Sequence, residues 1–305
     1  MKTCLIVFSK NRPLQLDLCL SSIKKNLIDC ELDLYVLYDC DDIYTDSYNL
    51  LKKEHNTVSF WQQSKSIFKD IQTIIYWWSL SKDTNAYCGF LTDDCIVYKK
   101  SNALSNDFLK NVFETIIESG TNKKIVSNLS LRLGLNINKR GMSGEEGFIE
   151  EPLLYSNTQN IIQHDRGIIF YDRTQHFHGG YWNYPLSVDG HIYQIEEIFE
   201  YVKELAYIEP IKNWKQTPNE FESALQRYVA LTAPFQAIYK ESCVVNSPNN
   251  RVQDTIPNNN GQVFDISASE FLDLFNQGKR IDIEKIQFPS IECCHTEIDI
   301  LKGIK

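Results

Sequence analysis

Tyr87-Cys88-Gly89-Phe90-Leu91-Thr92-Asp93-Asp94-Cys95 reads as a short buried strand closed by two adjacent carboxylates. Cys88, Phe90 and Leu91 suit a pleated, buried surface, and Gly89 lets a neighbouring backbone come close. Thr92, Asp93 and Asp94 then fall at the carboxyl end of the strand, the edge at which open α/β sheets bind ligands. Two neighbouring carboxylates repel unless positive charge lies beside them. A hard divalent cation carrying phosphate oxygens and water would relieve that repulsion. The same pair also suits a turn or a helix cap.

The stretches before it alternate between strand and helix. Cys4 to Phe8 is a continuous apolar run, as in a strand covered on both faces. Pro13 suits the first turn of a helix, and Leu16, Leu20, Ile23 and Leu27 share one helical face. Leu32 to Tyr38 is a second strand, ending in Asp39-Cys40-Asp41-Asp42, and Thr57 to Phe60 is a short third. Ile67, Phe68, Ile71, Ile74, Ile75 and Trp78 mark an amphipathic helix leading into the Asp93-Asp94 strand. The first hundred residues therefore predict β-α-β-α-β-α-β, a parallel sheet with helices on both faces. Polar groups at several strand ends can converge on one crevice.

Beyond Asp94, Ile96 to Tyr98 reads as a short strand, Phe108 to Ile117 as a helix ending near Gly120, and Ile125 to Leu129 as a strand. From Gly134 to Pro152 periodicity fails, and Glu145, Glu146, Glu150 and Glu151 read as the solvated face of a loop able to close on substrate. Gly167 to Tyr171 resumes as a strand. Asp189-Gly190-His191 precedes a helix expected from Ile192, Ile195, Phe199 and Val202. Thr217-Pro218-Asn219-Glu220 is a capping box for a helix with Phe221, Leu225 and Tyr228 inside. Cys243 to Val245 is a strand, followed by the polar loop Asn246 to Asp254. A last helix opens at Ser267-Ala268-Ser269-Glu270 and closes at Gly278.

The chain has 305 residues, enough for one large domain or two modest ones, and the lack of a repeat or clear linker favours one domain with a C-terminal extension. A net charge of -9 argues against nucleic acid or an anionic membrane held by bulk electrostatics. No apolar run is long enough to cross a bilayer, and the apolar start is a strand rather than a secretory signal. The nine cysteines form no CxxC pair, as expected of reduced packing residues in a cytoplasmic protein. Cys293-Cys294-His295 fits zinc spacing poorly. The 16 Tyr, 16 Phe and 5 Trp fit an aromatic core, or a cleft for sugars or bases.

The ordered set of Phe8-Ser9-Lys10-Asn11-Arg12-Pro13, Asp39 and Thr92-Asp93-Asp94 resembles glycosyltransferases of the GT-A fold, in the broad family-2-like group. The pattern covers the first hundred residues well and the rest loosely, through Asp-Gly-His and Pro-Asn-Glu-Phe-Glu. The resemblance implies a nucleotide-binding half over 1–100, an acceptor half over 101–240, and an extension over 241–305 packed on the same domain. It implies a nucleotide-diphosphate sugar of UDP or GDP type as donor, Mn2+ or Mg2+ as cofactor, and a glycan or lipid-linked glycan as acceptor. Asp94 would hold the metal, Asp93 would meet ribose or metal-bound water, and Asp39 would accept from the base or merely form a turn. Thr92 stands where a strict DxD motif has its first Asp.

Other roles follow by chemistry. Asp189 is typed as the general base of an inverting transfer, or as a helix cap. No dedicated nucleophile is visible, which favours inversion. His191 is a candidate for metal or diphosphate, and His176 and His178 are weaker ones. Arg12, Lys65, Lys69 and Arg251 are candidates for phosphate, with Asp70 also placed to pair with Lys69. Trp182 and Tyr181 suit stacking on a sugar or burial in the core. A sugar nucleotidyltransferase shares the layout, but Ser9 to Pro13 lacks the glycine-rich phosphate loop of that class. A non-catalytic sugar-nucleotide-binding protein is the other alternative. The absence of GxGxxG after the first strand argues against a dinucleotide oxidoreductase.

Overall fold

The computed structural model describes residues 3–80, 86–102, 104–114, 117–119, 122–124, 126–141, 162–163, 168–173, 181–184, 186–212, 214–229, 235–252, 261, 263–264 and 266–305. Its first half alternates as expected: β1 (Thr3–Lys10), α1 (Pro13–Asn26), β2 (Leu32–Asp39), α2 (Thr45–Glu54), β3 (Ser59–Gln62), α3 (Ile67–Leu80) and β4 (Tyr87–Thr92). Next come β5 (Cys95–Val97), α4 (Asn106–Glu114), β6 (Ile117–Ser119), β7 (Asn122–Lys124) and β8 (Val126–Ser130). The remaining elements are β9 (Ile162–Gln163), β10 (Ile168–Asp172), β11 (His191–Gln194), α5 (Ile195–Lys212), α6 (Pro218–Val229), β12 (Phe235–Tyr239), β13 (Val244–Asn246) and α7 (Ala268–Asn276).

One nine-stranded sheet organises these elements in the order β3-β2-β1-β4-β11-β8-β12-β10-β9. The first four strands are parallel. Beyond them the sheet is mixed, because β11 enters antiparallel between β4 and β8, and β10 is antiparallel to β12. The α/β expectation therefore holds, with the uninterrupted parallel run confined to β3-β2-β1-β4.

The period of two along β1 divides the core. Leu5 and Val7 join the apolar cluster that includes residues of α1, α2, α4 and α7, while Cys4, Ile6 and Phe8 join that of α3, α5 and α6. On the second side Phe221 of α6 lies in ring contact with Phe8, Phe68 and Phe90. Much of the aromatic content is thus core. All nine cysteines are free thiols.

Gly89 explains how β11 gets in. It is level with Leu5 of β1 and Ile192 of β11. A Cβ there would stand 2.4 Å from Ile192 Cδ1, 2.7 Å from Leu5 Cδ2 and 3.2 Å from the carbonyl of His191. Gly89→Ala is expected to destabilise the fold by about 1–3 kcal/mol through overpacking, read as a lower denaturant midpoint at unchanged slope. An unchanged midpoint would mean that β4 and β11 do not pack this closely.

Two expected elements differ. Ile117 leaves the helical register and opens β6, pairing with Lys124 across a hairpin. Ile192 belongs to β11, and the helix begins only at Ile195. Ile192 and Tyr193 are residue types that favour strands, and Asp189 precedes a strand and caps no helix. Thr217 does receive the Glu220 N–H at 3.3 Å, and Ser267 and Glu270 form a reciprocal capping box on α7. Gly278, at φ +78°, follows α7. Residues beyond 240 supply β13, which pairs antiparallel with β5, and α7, which packs on α1 and α2. Among the described residues, no helix is long and apolar enough to cross a membrane. Glu145, Glu146, Glu150, Glu151, His176 and His178 lie outside the described residues.

Candidate active site

A hollow of about 380 Å³ opens at the carboxyl ends of β1, β2 and β4. Lys10 borders it from the end of β1, Arg12 from the turn into α1, Asp39 from the end of β2, Gln63 from just after β3, and Thr92, Asp93 and Asp94 from the end of β4 and the turn after it. Val188 and Asp189 close another side together with the start of α6, and Asn246, Pro248, Val252 and His295 complete it from the C-terminal part of the chain.

The β1–α1 turn sets the geometry. Asn11 is held at φ 54°, in the left-handed region that Asn tolerates. Its side-chain amide donates to Asp41 Oδ2 at 2.8 Å, and its oxygen accepts the Asp41 N–H at 2.9 Å. This locks the end of β1 to that of β2. Arg12 takes the N-cap position of α1 without capping it, because its side chain is turned toward the acids instead.

Arg12 Nη1 donates to Asp93 Oδ1 at 3.0 Å and to Asp94 Oδ2 at 2.9 Å. Its Nε donates to Asn250 Oδ1 at 2.8 Å, and Nη2 donates to the Asn250 carbonyl. The guanidinium is buried, which alone would lower its pKa, but the two carboxylates outweigh this and raise it. Arg12 therefore remains charged.

The two acids have different surroundings. Asp93 is buried, and its Oδ2 accepts from Ser9 Oγ at 2.8 Å and from the Lys10 N–H at 3.1 Å. Asp93 thus pins the end of β1. Burial pushes its carboxyl up to about 6, with Asp94 adding to the push and Arg12 opposing it. Asp94 faces the hollow, and its Oδ1 accepts from Thr92 Oγ at 2.7 Å and from Asn246 Nδ2 at 2.7 Å.

Asp189 completes the group. Its Oδ1 lies 2.8 Å from the same Thr92 hydroxyl, and its Oδ2 accepts from Arg132 Nη1 at 3.1 Å. Thr92 has one hydroxyl proton for two carboxylates. Gly190, at φ +93°, turns the chain into β11, and its N–H donates to the Phe90 carbonyl at 2.7 Å. Asp189 is thereby fixed beside the end of β4.

Asp93, Asp94 and Asp189 face two guanidinium groups, Arg12 and Arg132. When all three acids are ionised, negative charge is in excess. That donor chemistry fits a cation carried in with phosphate oxygens, held by one carboxylate and largely hydrated otherwise. It does not fit a cage supplied wholly by protein, since no group of three or more His, Cys, Asp or Glu suited to a metal exists among the described residues.

The other expected residues divide. Asp39 borders the hollow and accepts from Lys10 Nζ at 2.8 Å, in a pair that is about half exposed. Lys65 and Arg251 are exposed and do not line the hollow. Lys69 is exposed as well, and buried Asp70 accepts the Ser64 N–H at 2.7 Å. Trp182 is buried edge-on against Tyr171, so its ring serves the core. His191 is fully buried within the sheet and does not line the hollow, and burial holds its pKa well below the usual range. The cause is the extra strand, which carries His191 into the sheet.

Arg132, Glu222, Asn250 and His295 bear on this region without having been singled out as site residues. Arg132 had a legible signal: a single charge inside Leu131-Arg132-Leu133 must find a partner if buried. His295 lay in the Cys-Cys-His stretch weighed only for zinc. It stands 3.4 Å from Asn246 Oδ1, and burial lowers its pKa. Asn250 lies in the polar loop Asn246 to Asp254 and Glu222 closes the Pro-Asn-Glu-Phe-Glu stretch, but neither residue was picked out within its stretch.

No family model matches the chain, and no curated protein matches it. Among solved structures it is similar to residues 1–349 of TarS from S. aureus, at 12% identity and TM-score 0.45, over 82% of this chain and 61% of that one. The same TarS segment in complex with UDP gives 12% identity and TM-score 0.44, over 80% and 59%. 4-Diphosphocytidyl-2C-methyl-D-erythritol synthase gives 10% identity and TM-score 0.36, over 74% of this chain and 84% of that one. The galactosyltransferase LgtC, in complex with donor and acceptor sugar analogs, gives 9% and 0.36, over 90% and 95%. The chain spans about three-fifths of the TarS segment. Likeness at this level carries no activity across. The mixed α/β character of the fold rests on the sheet described above.

Proposed function

We propose that this chain is a glycosyltransferase that moves a sugar from a nucleotide-diphosphate donor to a hydroxyl of a glycan or lipid-linked glycan. The observation that carries this reading is that Asp39, Asp94 and Asp189, from three separate parts of the sequence, border one hollow at the carboxyl edge of the sheet. A crevice there is the expected ligand site of an open α/β sheet.

Within this reading Asp39 accepts from the base of the donor, with Lys10 holding it in place. Asp93 is a strut that keeps Arg12 and the end of β1 in position. Asp94 would hold Mn2+ or Mg2+. When bound, such a cation supplies positive charge to the diphosphate as the glycosidic bond breaks. Asp189 takes the proton of the acceptor hydroxyl, and Arg132 and Thr92 aim its carboxylate. With Asp189 as a base and no side chain assigned as a nucleophile, the transfer inverts.

Calorimetric titration with UDP- and GDP-sugars, with and without Mn2+, tests this reading. We expect one donor class to bind more tightly with Mn2+, and Asp94→Ala to weaken that binding at least about tenfold, or about 1.4 kcal/mol. No binding by any donor, with Asp94→Ala behaving as wild type, would sink the reading. Binding without transfer or hydrolysis would assign the chain to non-catalytic sugar-nucleotide binding.

A further inference from the structure

Behind Asp189 lies a second carboxyl group with no part in the scheme so far. Glu222 of α6 is half-buried, and its Oε1 accepts the Val188 N–H at 3.0 Å. Val188 immediately precedes Asp189, so α6 holds the turn that aims the base. On the other side of that turn, the Ser187 hydroxyl accepts the Asp189 N–H at 3.1 Å.

Arg132 connects the two acids. It is buried, bonds directly to Asp189, and feels both Asp189 and Glu222 electrostatically. The rings of Tyr181 and Tyr184 flank its guanidinium at 5.4 and 6.0 Å. One buried cation therefore bonds Asp189 and acts on Glu222 through space. Only one of them can be well compensated at a time.

We propose that Glu222 is a positioning residue for the proton-accepting step: through the Val188 turn and the shared Arg132 it sets the aim and the basicity of Asp189. The proposal rests on the glycosyltransferase reading. In the step, the acceptor O–H bond breaks and its proton goes to Asp189. The acceptor oxygen bonds to the anomeric carbon, and the bond from that carbon to the diphosphate breaks with its electron pair leaving on the diphosphate. Protonated Asp189 no longer needs Arg132, and an ionised Glu222 can then take it up. An ionised Glu222 also strengthens Asp189 as a base beforehand, by adding negative charge nearby.

The surroundings place that ionisation in a usable range. Burial pushes the Glu222 carboxyl up to about 7, Asp189 adds to the push, and Arg132 with the bonds from Val188 and Tyr184 opposes it. The charged and titratable groups facing Glu222 are Asp189 on the turn, Arg132 after β8, Tyr184 beside it, and Tyr193 on β11.

The test compares pH profiles of kcat for wild type, Glu222→Gln and Glu222→Leu. Glutamine keeps an oxygen for the Val188 N–H but carries no charge, whereas leucine supplies neither. In the wild type kcat should rise roughly three- to tenfold between about pH 6 and 8 as Glu222 ionises, and in Glu222→Gln this step should vanish. Glu222→Leu should be slow at every pH. An unchanged step in Glu222→Gln overturns the proposal while leaving glycosyl transfer intact.

Thermal melts of the same proteins read the charge without turnover. A carboxyl raised in the folded state stabilises fully only below its unfolded pKa, and that stability is lost as pH rises through the folded value. The wild type should therefore lose stability relative to Glu222→Gln between about pH 4 and 7. Parallel melting curves would also overturn the proposal. Absence of turnover by the wild type with every donor would overturn both readings, and so differs from a failure of this one alone.

Discussion

Replacing Asp189 by asparagine should lower kcat by about a thousandfold, within the range of about 10²–10⁴ that a positioned general base supplies. The expectation follows from the two contacts of the carboxylate. Thr92 and Arg132 fix both of its oxygens at the mouth of the hollow. Asparagine fits the same space and still offers an oxygen to Thr92 or Arg132, but it cannot take a proton. Donor affinity should stay within about threefold of wild type, because a base acting only in the transition state contributes little to ground-state binding. Separate measurement of the donor Kd and of kcat checks both parts. An Asp189→Asn enzyme with undiminished kcat would move the base elsewhere.

Arg12→Met should be the most destabilising exchange at the site. Methionine keeps much of the stem but removes the charge facing Asp93 and Asp94. Breaking a buried ion pair by removing one partner costs about 3–5 kcal/mol. For a chain of this size the melting temperature should fall on the order of 10 °C. The pH dependence carries a definite sign. With its carboxyl raised to about 6, Asp93 holds a proton more tightly in the folded than in the unfolded state. Its contribution is fully present below the ordinary carboxylate range and is lost as pH rises through 6. Without Arg12 the carboxyl moves higher still, so the loss deepens. The deficit of Arg12→Met against wild type should be smaller at about pH 5 than at about pH 8. Melting curves at the two pH values decide it, and an equal deficit at both would mean that Arg12 acts through packing rather than charge.

The parallel half of the sheet was legible because its signals are local. Leu16, Leu20, Ile23 and Leu27 need only one helical period, and all four are buried. The apolar runs at Cys4–Phe8 and Tyr87–Leu91 need only their flanking turns. The same reasoning put Asp94 at the carboxyl edge of the sheet, whereas it set Asp189 only before a helix. What failed was whatever depends on distant partners. The spacing of Ile192, Ile195, Phe199 and Val202 fits a helix, yet the gap between β4 and β8 claims Ile192 for a strand. Asp93 and Asp94 look alike in sequence, and only Ser9 and the Lys10 N–H make one of them a strut. Lys65 and Arg251 carry the right charge, but nothing local shows that their neighbours, rather than they, border the hollow. Glu222 reads as one more polar position on an amphipathic helix.

The bond between Arg12 and Asn250 has a further consequence, during synthesis of the protein. Residues that border the hollow are contributed from Phe8 through to His295. On the ribosome, β1 to β4 can form early, but their acidic rim then waits for most of the chain to emerge before Asn246 and Asn250 reach Asp94 and Arg12. Such far-separated pairings close slowly. Until those residues emerge, the nascent chain is at a stage in which the hollow lacks this wall. During that stage the guanidinium and its acids keep company with water, and ligand cannot yet be gripped from both sides.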